Sequence, residues 1–176
     1  FLTQTSGHGD FRSESGAVGQ FDRPTSNTVR LGISRIADGV GEVRSVSRSN
    51  FAGGADYLKI MIGGGVSSEK DPLHSEQFSF EELQAAVEAA EQWDTYVAAH
   101  VYLDEHIQRG LEAGLKVFDH AQFSTVDTAK MLKEKGAFIS PNVAGMNPDL
   151  LKHPVYGNPE GPQYPKVQRF MKDSAN

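Results

Sequence analysis

The spacing of apolar and polar positions divides the chain into three parts, namely residues 1–36, residues 37–140 and residues 141–176. In the first part, Phe1 to Thr5 predicts the end of a strand, and a long loop rich in Gly, Ser, Thr and Arg follows over residues 6–34. The third part is rich in Pro, Gly and Asn, which predicts loops and one short helix over residues 166–171. Regular structure is therefore expected mainly in the middle part.

Four apolar runs in the middle part predict strands, and stretches of helical spacing adjoin them. The strands are expected at residues 57–62, 96–100, 117–120 and 137–140. The helices are expected to begin at Asp38, at the capping box of Ser79 and Glu82, at Asp104 and at Ser124. Strands that alternate with helices in this way indicate βαβ units, a parallel sheet and an α/β fold.

The same patterns predict which side chains are buried. Strand alternation places Leu58, Ile60 and Ile62 on one face, which we expect to pack on helices, and leaves Lys59 on the interior face. It likewise places Phe118 and His120 on one face. The helix that begins at Ser124 is expected to bury an apolar stripe formed by Val126, Ala129 and Leu132. The core is also expected to contain Phe118, Phe123 and Phe138.

Composition and charge exclude several classes of function. The formal net charge is −6, which is no electrostatic footprint for nucleic acid or for an anionic membrane surface. Cysteine is absent from the sequence, so disulfides, thiolate-bound zinc and a thiol nucleophile are excluded. No apolar run approaches the ~18 residues of a membrane span, and the start lacks the features of a signal peptide. We therefore expect a cytoplasmic protein that binds a small molecule.

Two architectures fit the alternating pattern. A doubly wound open sheet suits a chain of 176 residues, whereas a complete (β/α)8 TIM barrel usually needs about 250 residues. In both architectures the active site lies at the carboxyl ends of the strands. The residues at those strand ends are therefore the candidates for chemistry.

Three polar residues follow one another at successive strands: Lys59, His100 and His120. A buried ammonium without a partner is costly. The amine could form a Schiff base as in an aldolase-type lyase, pair with a carboxylate, or react with carbon dioxide to give a carbamate that bridges two cations. Two neutral imidazoles nearby favour the carbamate and a divalent metal such as zinc. The alternatives are the lyase, and a non-catalytic fold in which both histidines are structural.

Four segments, taken in order, resemble one known family. Thr5 to Asp10 resembles the segment that leaves strand three of the amidohydrolase superfamily, in its imidazolonepropionase-like and Xaa-Pro dipeptidase (prolidase-type) branch. Ala55 to Val66, Ala98 to Tyr102 and Phe118 to Ala121 resemble its strands four, five and six. The resemblance implies a partial TIM barrel that spans about strands three to seven, so that residues 1–176 form one incomplete barrel domain.

The resemblance also implies a binuclear metal centre that hydrolyses amide bonds of dipeptides or N-acyl amino acids. Lys59 would be the carboxylated lysine that bridges the two divalent metals, with zinc as the expected ion, and His100 and His120 would bind one of them. Tyr102 would be catalytic, by polarising the scissile carbonyl or holding the tetrahedral intermediate. His8 would line the substrate pocket together with the glycines of the following loop, Gly63, Gly64 and Gly65.

The chain departs from the family pattern at both ends. The His-x-His pair of strand one and the aspartate that ends strand eight have no counterpart in this sequence. We therefore expect an internal fragment of a longer enzyme, inactive alone, whose raw sheet edges favour a homo-oligomer. The remaining histidines, His74, His106 and His153, are expected to be solvated surface residues.

Overall fold

A computed structural model describes residues 1–11 and 27–173 of the chain. The strands in these residues are β1 (Leu2–Thr3), β2 (Arg35–Ile36), β3 (Leu58–Met61), β4 (Val97–Val101), β5 (Val117–His120) and β6 (Phe138–Ser140). The α-helices are α1 (Asn27–Arg30), α2 (Val40–Ala52), α3 (Phe80–Glu91), α4 (Asp104–Ala113), α5 (Val126–Glu134) and α6 (Tyr164–Asp173). Two 3₁₀ helices, Val143–Met146 and Pro148–Lys152, precede α6.

All six strands of the described sheet are parallel, in the order β2-β1-β3-β4-β5-β6. From β3 onward, each strand lies beside the strand that precedes it in the chain. Helices α2, α3, α4 and α5 pack against one another in the same sequence. Their inward side chains form one core with the sheet. In the described residues α2 to α5 all lie on one face of the sheet, as in a barrel, whereas a doubly wound sheet carries helices on both faces, so the doubly wound alternative is wrong.

The two faces of β3 differ as the alternation predicts. Leu58 and Ile60 are at most 1% exposed and, with Ile62 just beyond the strand, belong to the core under the helices. Lys59 points to the opposite face of the sheet, where its side chain is 24% exposed. The apolar face therefore holds the helices, and the polar face is left for the site.

The predicted capping box at the start of α3 is confirmed. The Ser79 hydroxyl accepts a hydrogen bond from the Glu82 amide at 3.3 Å, and the Glu82 carboxylate accepts one from the Ser79 amide at 2.5 Å. Two N–H groups that the helix leaves without an internal partner are satisfied in this way.

The predicted caps at Asp38 and Asp104 are wrong, because neither carboxylate bonds its own helix start. Asp38 accepts hydrogen bonds from the Thr5 amide at 2.9 Å and from the Thr5 hydroxyl at 2.6 Å. Asp104 accepts from the Thr125 amide at 2.6 Å. Each aspartate instead satisfies the loop that follows a neighbouring strand, a contact between distant residues that local spacing does not reveal.

The predicted burial of α5 and β6 is also wrong in part. Leu132 is buried, but Val126 is 74% exposed and Ala129 is exposed as well. Thr128 takes the inward position, where its hydroxyl accepts a hydrogen bond from the side-chain Nε2 of Gln108 at 2.8 Å. Phe138 is 68% exposed because β6 is the last strand of the described sheet.

The amino-terminal part is more regular than predicted. The end of a strand at Phe1 to Thr5 is confirmed as β1. The predicted loop of residues 6–34 contains helix α1, and β2 follows directly after it. Residues 12–26 of that loop lie outside the described part of the chain.

Candidate active site

Lys59 on β3 forms an ion pair with Asp119 on β5, across the strand between them. Two strand spacings, about 10 Å, separate β3 from β5, so the lysine side chain must cross β4. The residue of β4 in register with Lys59 is Ala98, whose methyl group leaves room for the crossing. Burial lowers the pKa of Lys59, and the hydrogen bond and charge of Asp119 oppose that shift. The sequence leaves three roles open for the Lys59 amine, namely a Schiff base, an ion pair with a carboxylate and a carbamate. The structure contains the ion pair.

His100 lies near the end of β4 in a densely packed, buried position. It is 4% exposed, and its Nε2 lies 3.3 Å from the Gly64 carbonyl oxygen, which can only accept a hydrogen bond. Burial, followed by the positive charges of neighbouring groups, holds the pKa of His100 well below its usual range. His100 is therefore neutral at pH 7, with a proton on Nε2 and a lone pair on Nδ1.

His120 also lies beside His100, although strand alternation predicts the other face of the sheet for it. Alternation places it with Phe118, but Phe118 is fully buried on the helix side and Asp119 occupies the Lys59 face. The prediction of a shared face is wrong because His120 has φ +71° and Ala121 has φ +50°, which turns the chain back over the sheet. The His120 ring then lies 4.8 Å from the His100 ring. Burial, followed by the charge of Lys59, lowers the pKa of His120 to about 4.

Tyr102 forms the wall beside both imidazoles. Its ring stacks on that of His120 at 4.9 Å and meets the edge of His100 at 5.2 Å. The side chain is 7% exposed, and burial raises the pKa of its phenol far above the usual range. The hydroxyl therefore keeps its proton at pH 7 and is a hydrogen-bond donor.

His8 joins the group from the segment that follows β1. Its ring stacks on His100 at 4.0 Å with an interplanar angle of 13°. A Cβ added to Gly65 would lie 2.0 Å from Cε1 of the same ring. The His8 amide donates to the Gln77 side-chain oxygen at 2.8 Å, and His8 Nδ1 lies 2.9 Å from the Asp71 carboxylate. The imidazole is thus stacked on one face, packed closely against Gly65 and held at one nitrogen.

The three glycines permit close packing around these histidines. A Cβ on Gly64 would lie 2.0 Å from the Pro72 carbonyl oxygen, and one on Gly63 would lie 3.0 Å from His106 Nδ1. Any other residue would clash with the backbone of the same loop or displace an imidazole. Their observed contacts are with the protein itself.

A cavity of about 260 Å³ opens beside the imidazoles. Four of the predicted site residues line it, and the rest of its wall is a mixture of apolar and polar residues: His8, His100, Tyr102 and His120, with Val66, Ser67, Asn142, Gly145, Leu150, Tyr156 and Phe170. Lys59 and the three glycines lie outside this lining. The structure therefore brings the histidines and the tyrosine to one cavity and keeps the lysine to the side of it.

The donor atoms at this cavity fit one edge of a metal site. His100 is neutral with a free lone pair, and His120 Nδ1 is buried with no hydrogen-bond partner. Neutral imidazole is a common ligand of zinc and similar ions. Within residues 1–11 and 27–173, no group of three or more His, Asp or Glu side chains is arranged to enclose a cation. The described residues thus offer part of a ligand shell.

Several residues of this region escape sequence reasoning. Asp119 is a charged residue inside an apolar strand. That position is the one feature of the sequence that indicates a functional role for it. Asp71 and Gln77 carry no such signal, because they act through contacts with His8 more than 60 residues away. His106 is 3% exposed, so its prediction as a surface residue is wrong: α4 turns it inward beneath the loop that begins at Gly63. His74 and His153 are exposed, as predicted.

Comparisons with known proteins agree on one family. The sequence matches the Amidohydrolase family over residues 14–161. It is 38% identical over 139 residues to the ochratoxinase of Aspergillus niger, a match that covers 77% of this chain and 29% of the ochratoxinase. No helix within the described residues is long and apolar enough to cross a membrane.

Solved structures give the same answer at the level of the fold. A prolidase complexed with N-methylphosphonate-L-proline has a TM-score of 0.85 and 36% identity, covering 98% of this chain and 41% of the prolidase. The crystal structure of A. niger ochratoxinase has a TM-score of 0.81 and 30% identity, covering 98% of this chain and 40% of the ochratoxinase. The described strands and helices thus correspond to part of a (β/α)8 barrel, and the chain spans less than half of each relative. The chain belongs to the amidohydrolase family.

Proposed function

We propose that this chain carries part of the active site of a metal-dependent hydrolase that cleaves amide bonds of dipeptides or N-acyl amino acids. The observation that carries the proposal is the meeting of two neutral imidazoles, His100 and His120, beside a lysine of lowered pKa at the carboxyl ends of adjacent strands. The prolidase and the ochratoxinase among its relatives support a hydrolase.

In this proposal His100 and His120 hold a divalent cation, and zinc suits their nitrogen donors. When bound, such a cation polarises a carbonyl group and lowers the pKa of a water molecule to near 7. Lys59 would contribute as a carbamate: the neutral amine adds to carbon dioxide, a C–N bond forms and one proton leaves to solvent. Burial lowers the pKa of Lys59, which is the direction that this addition needs, and the ion pair with Asp119 would have to open first.

Other residues bind and orient the substrate. Tyr102 keeps its proton, so its hydroxyl can donate a hydrogen bond to the oxygen that becomes negative as the amide carbon turns tetrahedral. His8 faces the same cavity and would orient the polar end of the substrate. The apolar wall formed by Val66, Leu150 and Phe170 would receive its apolar side chain and exclude water.

The Schiff-base alternative gains no support from the geometry. A Schiff base would have to form with a substrate carbonyl in the cavity, whereas Lys59 forms an ion pair with Asp119 and is not among the residues that line the cavity; the family membership of the chain favours a hydrolase over a lyase. We therefore keep the hydrolase as the proposal.

The first test is zinc binding by the chain itself, measured by titration calorimetry and metal analysis. We expect His100→Ala and His120→Ala each to weaken zinc binding at least tenfold. His74→Ala removes an exposed imidazole outside the cavity and should leave binding unchanged. Zinc binding that survives loss of both His100 and His120 would contradict the metal assignment. Alone, the chain should hydrolyse N-acetyl amino acids no faster than free zinc does.

The second test is a chimera in which this chain replaces the matching segment of the related prolidase. We expect the folded chimera to hydrolyse Xaa-Pro dipeptides or N-acyl amino acids, with a loss of at least a hundredfold on His100→Ala and none on His74→Ala. A chimera that folds and binds zinc but cleaves none of these amides would refute the proposed function.

A further inference from the structure

A single lysine on α6 holds the loop behind the site. Lys166 Nζ lies 3.0 Å from the Gly65 carbonyl oxygen, 2.8 Å from that of Ser68 and 2.7 Å from that of Asp71. An ammonium group has three N–H donors, so each of them has one carbonyl acceptor in a loop about 100 residues away in sequence. Burial lowers the pKa of Lys166, and the negative charge of Asp71 opposes that shift.

The loop that Lys166 holds, residues 65–71, is closed on itself by Asp71. One carboxylate oxygen of Asp71 accepts a hydrogen bond from the Gly65 amide at 2.7 Å and lies 2.9 Å from His8 Nδ1. The Ser68 hydroxyl lies 3.1 Å from the same nitrogen of His8. A nucleophilic serine would have to bond the other imidazole nitrogen, so this is not a Ser-His-Asp triad. Asp71 fixes His8 Nδ1 and leaves Nε2 for a ligand.

Helix α6 also forms part of the cavity wall. Val167 and Phe170 are at most 3% exposed and pack in one cluster with Val66 and Tyr102. Phe170 meets the ring of Tyr102 edge-on at 5.6 Å. The helix that carries Lys166 is thus fixed to the site on one side and to the loop on the other.

We propose that Lys166 is a positioning residue of the active site: its ammonium shapes residues 65–71 so that Asp71 meets His8 and orients the His8 ring at the cavity. The task of His8 toward substrate rests on the proposed function, whereas the clamp itself does not. Three carbonyl oxygens directed at one point repel one another unless a compact cation lies between them. Arginine does not suit this place, because its planar donors do not converge on one point.

The first experiment removes the ammonium and keeps its stem. In Lys166→Met we expect the amide of Gly65, the donor to Asp71, to exchange its hydrogen at least tenfold faster, and the side-chain ¹⁵N signals of His8 to shift. The Ile62 amide, which donates to the His100 carbonyl, is the internal reference and should not change. Lys172→Met makes the same replacement at an exposed position of the same helix. It should leave the exchange of the Gly65 and Ile62 amides and the ¹⁵N signals of His8 unchanged.

The second experiment restores the cation without the covalent stem. In Lys166→Ala, propylammonium supplies the missing three carbons and the N–H donors, and tetramethylammonium supplies a charge without donors. We expect propylammonium alone to return the Gly65 exchange rate and the His8 signals toward the wild-type values.

The outcomes separate the clamp from the proposed hydrolase. Unchanged Gly65 exchange and unchanged His8 signals in Lys166→Met would overturn the clamp. If Lys166→Met unfolds as a whole, Lys166→Ala decides: recovery of its fold, its Gly65 exchange rate and its His8 signals with propylammonium supports the clamp, and no recovery, or equal recovery with tetramethylammonium, overturns it. None of these readouts depends on zinc or hydrolysis, so the clamp can fail while the hydrolase stands, and the reverse.

Discussion

Replacing Gly65 by alanine tests whether the packing of His8 is as rigid as its contacts indicate. The new methyl group would lie 2.0 Å from the His8 ring, far inside van der Waals contact. The ring has little room to move away, because His100 stacks on one of its faces and Asp71 holds Nδ1. Either the ring leaves its place or the loop shifts, and both would disturb the cavity wall.

The size of the effect follows from two opposing contributions. Overpacking of a filled site costs about 1–3 kcal/mol. The lower entropy of the unfolded alanine chain offsets about 0.4–1 kcal/mol of that cost. We therefore expect Gly65→Ala to lower the free energy of unfolding by about 1–2 kcal/mol, which is roughly 0.5–1 M in the urea midpoint at a slope of about 2 kcal/mol/M.

The matched control is Gly41→Ala, near the start of α2. A Cβ at Gly41 meets nothing within 4 Å, so the same replacement should stabilise the helix by about 0.5 kcal/mol. Urea unfolding followed by circular dichroism measures both variants, and His8 side-chain NMR signals report the ring. Wild-type stability together with unshifted His8 signals in Gly65→Ala would refute the tight packing of His8 against Gly65.

Two further predictions concern pH and self-association. The lowered pKa values of His100 and His120 mean that the unfolded chain binds more protons than the folded chain between pH 6.5 and about 4. The free energy of unfolding should therefore be highest above pH 6.5 and should fall as the pH drops toward 4. Urea midpoints at pH 7.5 and 5.0 measure this loss of stability, and the loss should be smaller in His120→Gln. An equal fall in that variant would contradict this reasoning. We also propose that the chain self-associates through β6, where Phe138 and Ile139 are exposed; sedimentation velocity should show weaker association for Phe138→Ser, and a monodisperse wild-type monomer would contradict it.

How far the sequence predicts the site depends on the range of the interactions. Lys59 and His100 follow from strand alternation, a local rule that holds where the strand is regular. His120 breaks the rule because its backbone adopts a left-handed conformation that is uncommon outside glycine and that no local pattern announces. Asp71 and Lys166 reach the site through partners 63 and about 100 residues away, so spacing along the chain does not predict their roles.

The fold follows the same division. Strands β3 to β6 and the capping box of α3 lie close to their predicted bounds, because hydrophobic periodicity and capping act within a few residues. The exposure of Phe138 and Val126 depends instead on what covers the end of the sheet, which an apolar residue does not encode by itself.

The contact between Lys59 and Asp119 limits the size of the side chain that position 98 of β4 can hold. The Lys59 side chain starts beside the methyl group of Ala98 on β4 and reaches Asp119, which is in register with His100. A valine or leucine at position 98 would keep the strand and its hydrogen bonds but separate the charges on either side of it. Among relatives of this chain, the residue at that position should therefore vary together with the lysine and the aspartate, as a set of three that is kept or lost as one.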